Sequence, residues 1–166
     1  KAFQDLMFQV YYKSYGLNII ITRMFSYSNA RRENLFMSSF AKQIVDIEKG
    51  REKILKHGNL DSVRCIQDIT DAMNAYWQTA LYGKVGEIYN IGGDHIITVK
   101  SYLKNLIKFS KKKITLKLDR KRLRLQDVTY QIPNVNKFKK DVKWKTKVEF
   151  KESMKNLLSE FRKIKK

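Results

Sequence analysis

Apolar positions along the chain recur with two periods, which predict alternating helices and strands. Spacings of three and four residues indicate amphipathic helices, as over 1–15, with Gly16 as terminator. Short unbroken β-branched runs, as over 17–22, are typical of parallel strands buried on both faces. The helices predicted in this way are 1–15, 36–49, 69–82, 99–110, 134–140 and 150–164. The predicted strands are 17–22, 53–56, 87–91 and 113–118, with polar turns or loops at 58–67, 94–98 and 119–133.

The stretch 58–71 organises the rest of the chain. It begins as a polar turn that carries Arg64 and continues as a helix. Asp68 is placed to cap this helix, Asp71 adds a second acid to its first turn, and Gly83 supplies the stop. The planar fork of donors on an arginine matches a phosphate or a carboxylate. We therefore predict an anion site at Arg64, in a turn open to water and ligand.

The order of helix, glycine and buried strand is one step of a βαβ sheet, so the predicted class is α/β. No repeat, low-complexity tract or Gly/Ser linker is visible, and no clean domain boundary divides the chain. At 166 residues the chain fits one domain or a large part of one. It lacks a run of about 18 apolar residues, so no membrane-spanning helix is predicted.

The first residues and the cysteine content of the chain indicate in which cellular compartment the protein is expected. The chain opens at Lys1 without methionine and without a charged-then-apolar leader, so we expect no signal peptide and a fragment of a longer protein. The single cysteine, Cys65, excludes an internal disulfide and agrees with a reducing, cytoplasmic location.

The net charge of +19 is concentrated in the last third of the sequence. Nucleic-acid-binding modules show such asymmetry, which keeps that class open as an alternative. The excess is mostly lysine, scattered over exposed helical positions rather than gathered in one motif. Solvated helix faces account for that pattern, and nucleic acid is the less favoured partner.

Several kinds of catalytic motif are absent. No glycine-rich dinucleotide turn lies between a strand and a helix. His57 and His95 are far apart and are interpreted as surface or turn residues, and no cysteine, histidine and acid cluster has metal spacing, so no metal site is predicted. These residues do not make a self-sufficient active site.

Two segments carry a family resemblance: GNLDSVR at 58–64, and QDITDAMNAYWQTALYGKVGEIYNIGG at 67–93. They resemble the middle of GDP-mannose 4,6-dehydratases and GDP-deoxymannose reductases, members of the extended short-chain dehydrogenase/reductase family. The resemblance implies an α/β chain, 1–166, that forms the C-terminal part of such an enzyme, with an incomplete Rossmann parallel sheet and a small α/β substrate-binding lobe. The implied sheet layer is 1–25 and 66–92, and the implied substrate-binding lobe is 26–65 and 93–166.

The first 23 residues resemble the catalytic segment of that family. It carries Tyr-x-x-x-Lys, then an acid, then a Thr-Arg pair, which match Lys1, Asp5 and Thr22-Arg23 in spacing. The resemblance implies that Lys1 is the catalytic lysine, three residues after a tyrosine outside this chain. Such a lysine lowers the pKa of the tyrosine and binds the nicotinamide ribose.

The loop FSYSNARRE at 25–33 is similar to a family loop that touches the cofactor through a histidine and the second of two arginines. Those positions are Tyr27 and Arg32, which become the predicted cofactor-binding residues. Departures from the family pattern fall at Ser26, Ala30 and Glu33.

The substrate-binding residues implied by the resemblance are Arg64, Arg124 and Asp127. The two arginines would clamp the nucleotide diphosphate from separate loops, and Asp127 would accept hydrogen bonds from the ribose. The family has an acid after the first arginine, where this chain has Cys65, so that arginine is expected to lose a partner. A family lysine near the base pocket appears as Ser39, and Trp144 is predicted to pack in the core.

The predicted function is the substrate-binding part of an NAD(P)-dependent GDP-sugar dehydratase, a lyase of nucleotide-sugar metabolism, inactive without the cofactor-binding half. The cofactor, NADP or NAD, would be bound mainly by residues upstream of Lys1, and a homodimer or homotetramer is expected. Three alternatives stay open: a GDP-4-keto-6-deoxymannose reductase or related epimerase, a degraded inactive relative, and the nucleic-acid-binding module.

Overall fold

Six helices and seven short strands form residues 1–164, the part of the chain described by the computed structural model. The helices are α1 Ala2–Tyr15, α2 Phe36–Glu48, α3 Ile69–Tyr82, α4 Val99–Ile107, α5 Asn136–Val142 and α6 Phe150–Lys163. The strands are β1 Ile21–Met24, β2 Leu55–His57, β3 Val63–Ile66, β4 Ile88–Ile91, β5 His95–Thr98, β6 Leu116–Leu118 and β7 Tyr130–Gln131. A single 3₁₀ turn covers Arg120–Arg122.

The strands pair in three small sheets, and parallel pairing dominates. β1 pairs with β4 and β2 pairs with β6, both in parallel. β3 is the central strand of the third sheet, antiparallel to β5 and parallel to β7. Parallel pairing needs a crossover connection, and helices supply it here, as expected for an α/β chain. The predicted fold class is confirmed.

The helix ends follow the signals in the sequence. The Asp68 side chain accepts a hydrogen bond from the Thr70 backbone N–H at 2.8 Å, so the predicted cap of α3 is confirmed. Gly16 ends α1 with φ 65°, a left-handed conformation that glycine adopts without steric cost. Asp71 does more than predicted, because its carboxylate also accepts from the backbone N–H groups of Lys147 and Val148. It thereby fastens α3 to the segment that enters α6.

Four predictions about strands were wrong, one of them the loop predicted at 119–133, which contains β7. The strand predicted at 17–22 lies at Ile21–Met24, because its register is set by pairing with β4 rather than by the apolar run. The turn predicted at 94–98 contains β5, and the turn predicted before α3 contains β3. Their pairing joins segments on either side of α3, which hydrophobic periodicity within one segment does not reveal.

Two clusters of buried apolar side chains hold the fold. The larger one lies between α2, α4 and α6, and the smaller one packs α3 and α5 on β4. Trp144 is buried in the smaller cluster, with its ring centre 5.4 Å from that of Phe138, as predicted for a core residue.

The apolar side of α1 is not buried within the described residues. Phe3 is 75% exposed and Leu6 is 63% exposed, and no residue of α1 is buried. The periodicity predicted the helix correctly, but the apolar side finds no cover in 1–164. None of the helices in 1–164 combines the length and the apolar character needed to cross a membrane.

Candidate active site

The three residues predicted to serve the cofactor line one cleft of about 680 Å³, here called the Lys1 cleft. Lys1 enters it from the start of α1, whereas Tyr27 and Arg32 come from the loop between β1 and α2. The cleft is lined by Lys1, Gln4, Asp5, Phe8, Ile21, Thr22, Arg23, Met24, Phe25, Ser26, Tyr27, Arg32, Leu35, Tyr76 and Gln131. The fold therefore brings Lys1, Tyr27 and Arg32 to one opening.

An ion pair fixes the start of α1 to β1 at the wall of this cleft. The Arg23 guanidinium donates from Nε to Asp5 Oδ1 at 3.2 Å and makes a second contact from Nη2 to Oδ2. This hydrogen bonding holds the pKa of Asp5 below its usual range and raises the pKa of Arg23. The two-point contact orients the first turn of α1, and with it Lys1, relative to the strand.

The three predicted substrate-binding residues line a second cleft of about 430 Å³, here called the arginine cleft. Its walls are Ser26, Asn34, Leu35, Phe36, Ser39, Phe40, Gly58, Asn59, Ser62, Arg64, Val99, Arg122, Arg124, Asp127, Val128 and Gln131. Ser26, Leu35 and Gln131 line both clefts, so the two clefts adjoin each other. Arg64 and Arg124 thus share one cleft, next to Lys1.

Arg64 lies on β3 rather than in an open turn, and its side chain is only 13% exposed. Its Nη2 is 3.6 Å from Asp127 Oδ1, and its Nη1 donates to the Val63 carbonyl at 2.9 Å. The expected loss of an acidic partner was wrong, because Asp127 supplies that partner from a distant loop while Cys65 occupies the neighbouring position.

Asp127 is fastened to the segment between β2 and β3. Its Oδ2 accepts from Asn59 Nδ2 at 2.8 Å and from Ser62 Oγ at 3.0 Å. Burial opposes the charge, but these hydrogen bonds and the Arg64 charge outweigh it and hold the pKa of Asp127 below its usual range. Oδ1 keeps lone-pair capacity for a further hydrogen bond, since a carboxylate offers about four acceptor sites.

The arginine cleft contains two more guanidinium groups, in different states. Arg124 is exposed, and its guanidinium has no hydrogen bond or ion pair with any other residue in the described range. Arg122 is held by two contacts: Nη1 donates to Ser39 Oγ at 3.1 Å and Nε donates to Asp119 Oδ2 at 3.3 Å. Nothing in the sequence distinguishes Arg122 from its neighbours Arg120 and Lys121.

Residues that anchor the site were also missed. Asn59 and Ser62 lie in the polar turn before β3, where asparagine and serine are ordinary turn residues. Their contacts with Asp127 distinguish them. No group of three or more histidine, cysteine, aspartate or glutamate residues within 1–164 is arranged to hold a metal ion.

Cys65 and the histidines lie outside the chemistry of the site. Cys65 is 1% exposed and its Sγ donates to the Gly93 carbonyl at 3.1 Å. Burial raises the pKa of this thiol to about 11, so it stays protonated near neutral pH. His57 contacts the Gly58 carbonyl, and the His95 ring packs on Phe150.

The sequence matches known proteins in two ways. A model of the family described as GDP-mannose 4,6 dehydratase matches residues 1–157. Curated relatives include human dTDP-D-glucose 4,6-dehydratase, 28% identical over 111 residues, which are 67% of this chain and 31% of the relative. The dTDP-D-glucose 4,6-dehydratase of Dictyostelium discoideum is 28% identical over 110 residues, 66% of this chain and 25% of the relative.

Solved structures share the fold. RMD from Pseudomonas aeruginosa, complexed with NADPH, superposes with a TM-score of 0.84 at 18% identity, over 93% of this chain and 52% of that one. The dTDP-glucose 4,6-dehydratase of Bacillus anthracis, in complex with NAD, gives a TM-score of 0.78 at 24% identity, over 96% and 49%. The chain therefore spans about half the length of these structures and a smaller share of its curated relatives.

Proposed function

Because the chain belongs to the GDP-mannose 4,6-dehydratase family, we propose that it is the substrate-binding part of an NAD(P)-dependent GDP-sugar dehydratase. The observation that carries this proposal is the convergence of Arg64 and Arg124 on one cleft that adjoins the Lys1 cleft. A nucleotide sugar needs an anion site for its diphosphate beside a site for chemistry on its sugar, and the two clefts supply them in that order.

The diphosphate would be bound mainly by Arg124. Its guanidinium is free within the described residues, so all five N–H donors are available to phosphate oxygens. Arg64 forms an ion pair with Asp127 and would act as a fixed donor in the wall of the cleft. Asp127 Oδ1 would accept from a ribose hydroxyl, as the family resemblance implies.

The Lys1 cleft has a donor set that suits a dinucleotide. Lys1 and Arg32 offer cationic donors to phosphate and ribose oxygens, and Tyr27 offers a phenol. Bound NAD(P) supplies the hydride acceptor and donor of the reaction. Lys1 would act as the catalytic lysine by holding the ribose and lowering the pKa of the tyrosine expected three residues upstream of it. The rest of the cofactor would be bound by the half that the relatives possess and this chain does not span.

Guanosine as the nucleoside is supported by the family match, although the curated relatives are named for dTDP-glucose. A GDP-deoxymannose reductase, or another nucleotide-sugar epimerase or dehydratase, would use the same clefts. A nucleic-acid-binding role is not favoured, because the basic residues of the last third are scattered over solvated helix faces rather than gathered in one motif.

The proposal also covers the domain organisation, the oligomeric state and the cellular location. The sheet layer would consist of 1–25 and 66–92, and the substrate-binding lobe of 26–65 and 93–166. The exposed apolar side of α1 supports a homodimer or homotetramer. The single buried thiol, Cys65, agrees with a cytoplasmic location.

Calorimetric titration of the chain with GDP tests the binding role. Arg124→Gln should weaken GDP binding about 10-fold to 100-fold, the effect of losing charge-assisted hydrogen bonds to phosphate. Arg120→Gln is the matched control, since it removes the same charge from the same loop outside the cleft. Equal affinities for the two variants would refute the proposal.

A second assay tests whether the chain is inactive without the cofactor-binding half. The chain alone, incubated with GDP-mannose and NADP, should form no 4-keto sugar. Any 4-keto product would show that the chain is self-sufficient.

A further inference from the structure

A third cavity continues the arginine cleft on the side away from Lys1. It has a volume of about 350 Å³ and shares Ser39 and Arg122 with the arginine cleft. We call it the Gln43 cleft; it is lined by Glu33, Ser39, Lys42, Gln43, Asp46, Glu52, Ile54, Lys56 and Arg122. Three adjoining cavities therefore run across this face of the molecule.

Helix α2 sets the order of the three cavities. Leu35, its N-cap, lines the Lys1 and arginine clefts; Ser39 lines the arginine and Gln43 clefts; Gln43 lines only the last. These positions are four residues apart, so they lie on one face of the helix at steps of about 6 Å. The cavities follow one another along the helix axis.

This order orients the proposed ligand. The reacting sugar must lie at the Lys1 end, and the diphosphate must lie between Arg64 and Arg124. The nucleoside must then extend toward Ser39 and Arg122, since these residues mark the far end of the arginine cleft. Arg122 therefore lies where the base of the nucleotide would bind.

Two contacts hold the Arg122 guanidinium in one orientation before any ligand binds. Ser39 Oγ and Asp119 Oδ2 use two of its five N–H groups and fix its plane. The backbone behind it is also fixed, because Asp119 N–H donates to the His57 carbonyl at 2.8 Å. The remaining N–H groups form a fork that can donate but cannot accept.

We propose that Arg122 recognises the nucleobase and favours guanine. This inference rests on the proposed nucleotide-sugar function. Guanine presents two adjacent acceptors, O6 and N7, which a guanidinium binds in a bidentate manner. Adenine replaces one of them with an amino donor, and thymine or uracil presents a carbonyl beside a ring N–H. A donor-only fork therefore distinguishes GDP from ADP, dTDP and UDP.

Titration of the 166-residue chain with the four nucleoside diphosphates tests this assignment. The wild-type chain should bind GDP about tenfold more tightly than dTDP, within the range of discrimination that a bidentate arginine gives. Arg122→Gln should remove the preference while changing dTDP affinity less than about twofold. Arg122→Lys keeps the charge without the fork, and should lose the preference as well.

The controls separate this inference from the function on which it rests. Arg120→Gln, from the same 3₁₀ turn but outside all three clefts, should keep the preference for GDP. Circular dichroism verifies that each variant folds. If Arg122→Gln does not fold, Arg122→Lys provides the test of the preference. Equal wild-type affinities for GDP and dTDP would overturn the role of Arg122 and leave the diphosphate site standing. An equal loss of affinity for GDP and dTDP in Arg122→Gln would also overturn the role of Arg122. If the wild-type chain binds none of the four nucleoside diphosphates, both this role and the proposed function are overturned.

Discussion

The Arg64 guanidinium lies 3.6 Å from the Asp127 carboxylate, and this contact joins the central strand of the β5–β3–β7 sheet to the loop that bears Arg124. One partner is on a strand and the other on a long connection, so the contact fixes where the loop stands over the cleft. Asn59 and Ser62 hold the same carboxylate from a second direction. The arginine cleft thus depends on Asp127 for its shape.

Asp127→Ala should therefore weaken both the fold and ligand binding. Three donors lose their acceptor, and a partly buried hydrogen bond to a charged group is worth about 1.5–3 kcal/mol, so denaturant unfolding should show a loss of that order. GDP affinity, measured by calorimetry, should fall because the Arg124 loop loses its anchor. Asp61→Asn, an exposed acid in the same polar turn, is the matched control and should change neither quantity. An Asp127→Ala chain as stable as the wild type would contradict the anchoring role.

Acid should weaken the Asp127 anchor of this loop. The pKa of Asp127 is lowered in the folded state, so its contribution is present above the unfolded value of about 3.9 and is lost as the pH falls through the lower folded value. Glu48 behaves alike, since Arg162 binds it through two hydrogen bonds of 2.7 and 2.8 Å and lowers its pKa.

Stability measured by urea unfolding should therefore be flat from neutral pH to about pH 5 and then decline. Glu48→Gln should lower stability at neutral pH by about 1.5–3 kcal/mol, the range for hydrogen bonds to charged groups. It should also flatten the decline below pH 5, because the substituted residue does not titrate. An unchanged acid limb in this variant would show that Glu48 does not contribute to it.

The sequence allowed the helices to be predicted because each carries its signals locally. Asp68 caps α3 and Gly16 ends α1 in the left-handed conformation, and both are properties of one short segment. The family resemblance supplied Arg64, Arg124 and Asp127, which the fold brings to one cleft. Their roles in binding stay predictions.

What could not be predicted depends on segments that are distant in the sequence. The strand around Arg64 exists because it pairs with His95–Thr98 on the far side of α3. The acid beside Arg64 comes from another loop rather than from the next residue. In the sequence Arg122 is one of several neighbouring cations, and only the structure shows its contact with Ser39. Apolar periodicity and local spacing contain none of this information.

The buried thiol of Cys65 should resist alkylation in the native chain. Burial raises its pKa to about 11, and the side chain is 1% exposed. Relative to an ordinary thiol with a pKa of about 8.5, the thiolate fraction near pH 8 falls by a factor of roughly 100 or more. Iodoacetamide labelling followed by mass spectrometry should therefore be at least that much slower than in guanidinium chloride. Labelling at the unfolded rate would mean that the β3–β5 region opens readily.

Gly58 should be needed for the position of Arg122 rather than for its own flexibility. A Cβ at Gly58 would lie 2.6 Å from the Arg122 carbonyl oxygen, and its φ is not in the left-handed region. Gly58→Ala should push the 3₁₀ turn away from the polar turn before β3, which moves the Arg122 guanidinium off Ser39. We expect a fall in the preference for GDP over dTDP, measured by calorimetry as above.

Gly50→Ala is the matched comparison, because Gly50 has φ 76° and open space around its Cβ. That variant adds left-handed strain of about 1–2 kcal/mol without a clash, so it should lower stability and leave the nucleotide preference intact. The two variants therefore separate a steric effect on the cleft from a general effect on the fold. If Gly58→Ala lost stability but kept the full preference for GDP, the close approach of the two backbones would not govern where Arg122 lies.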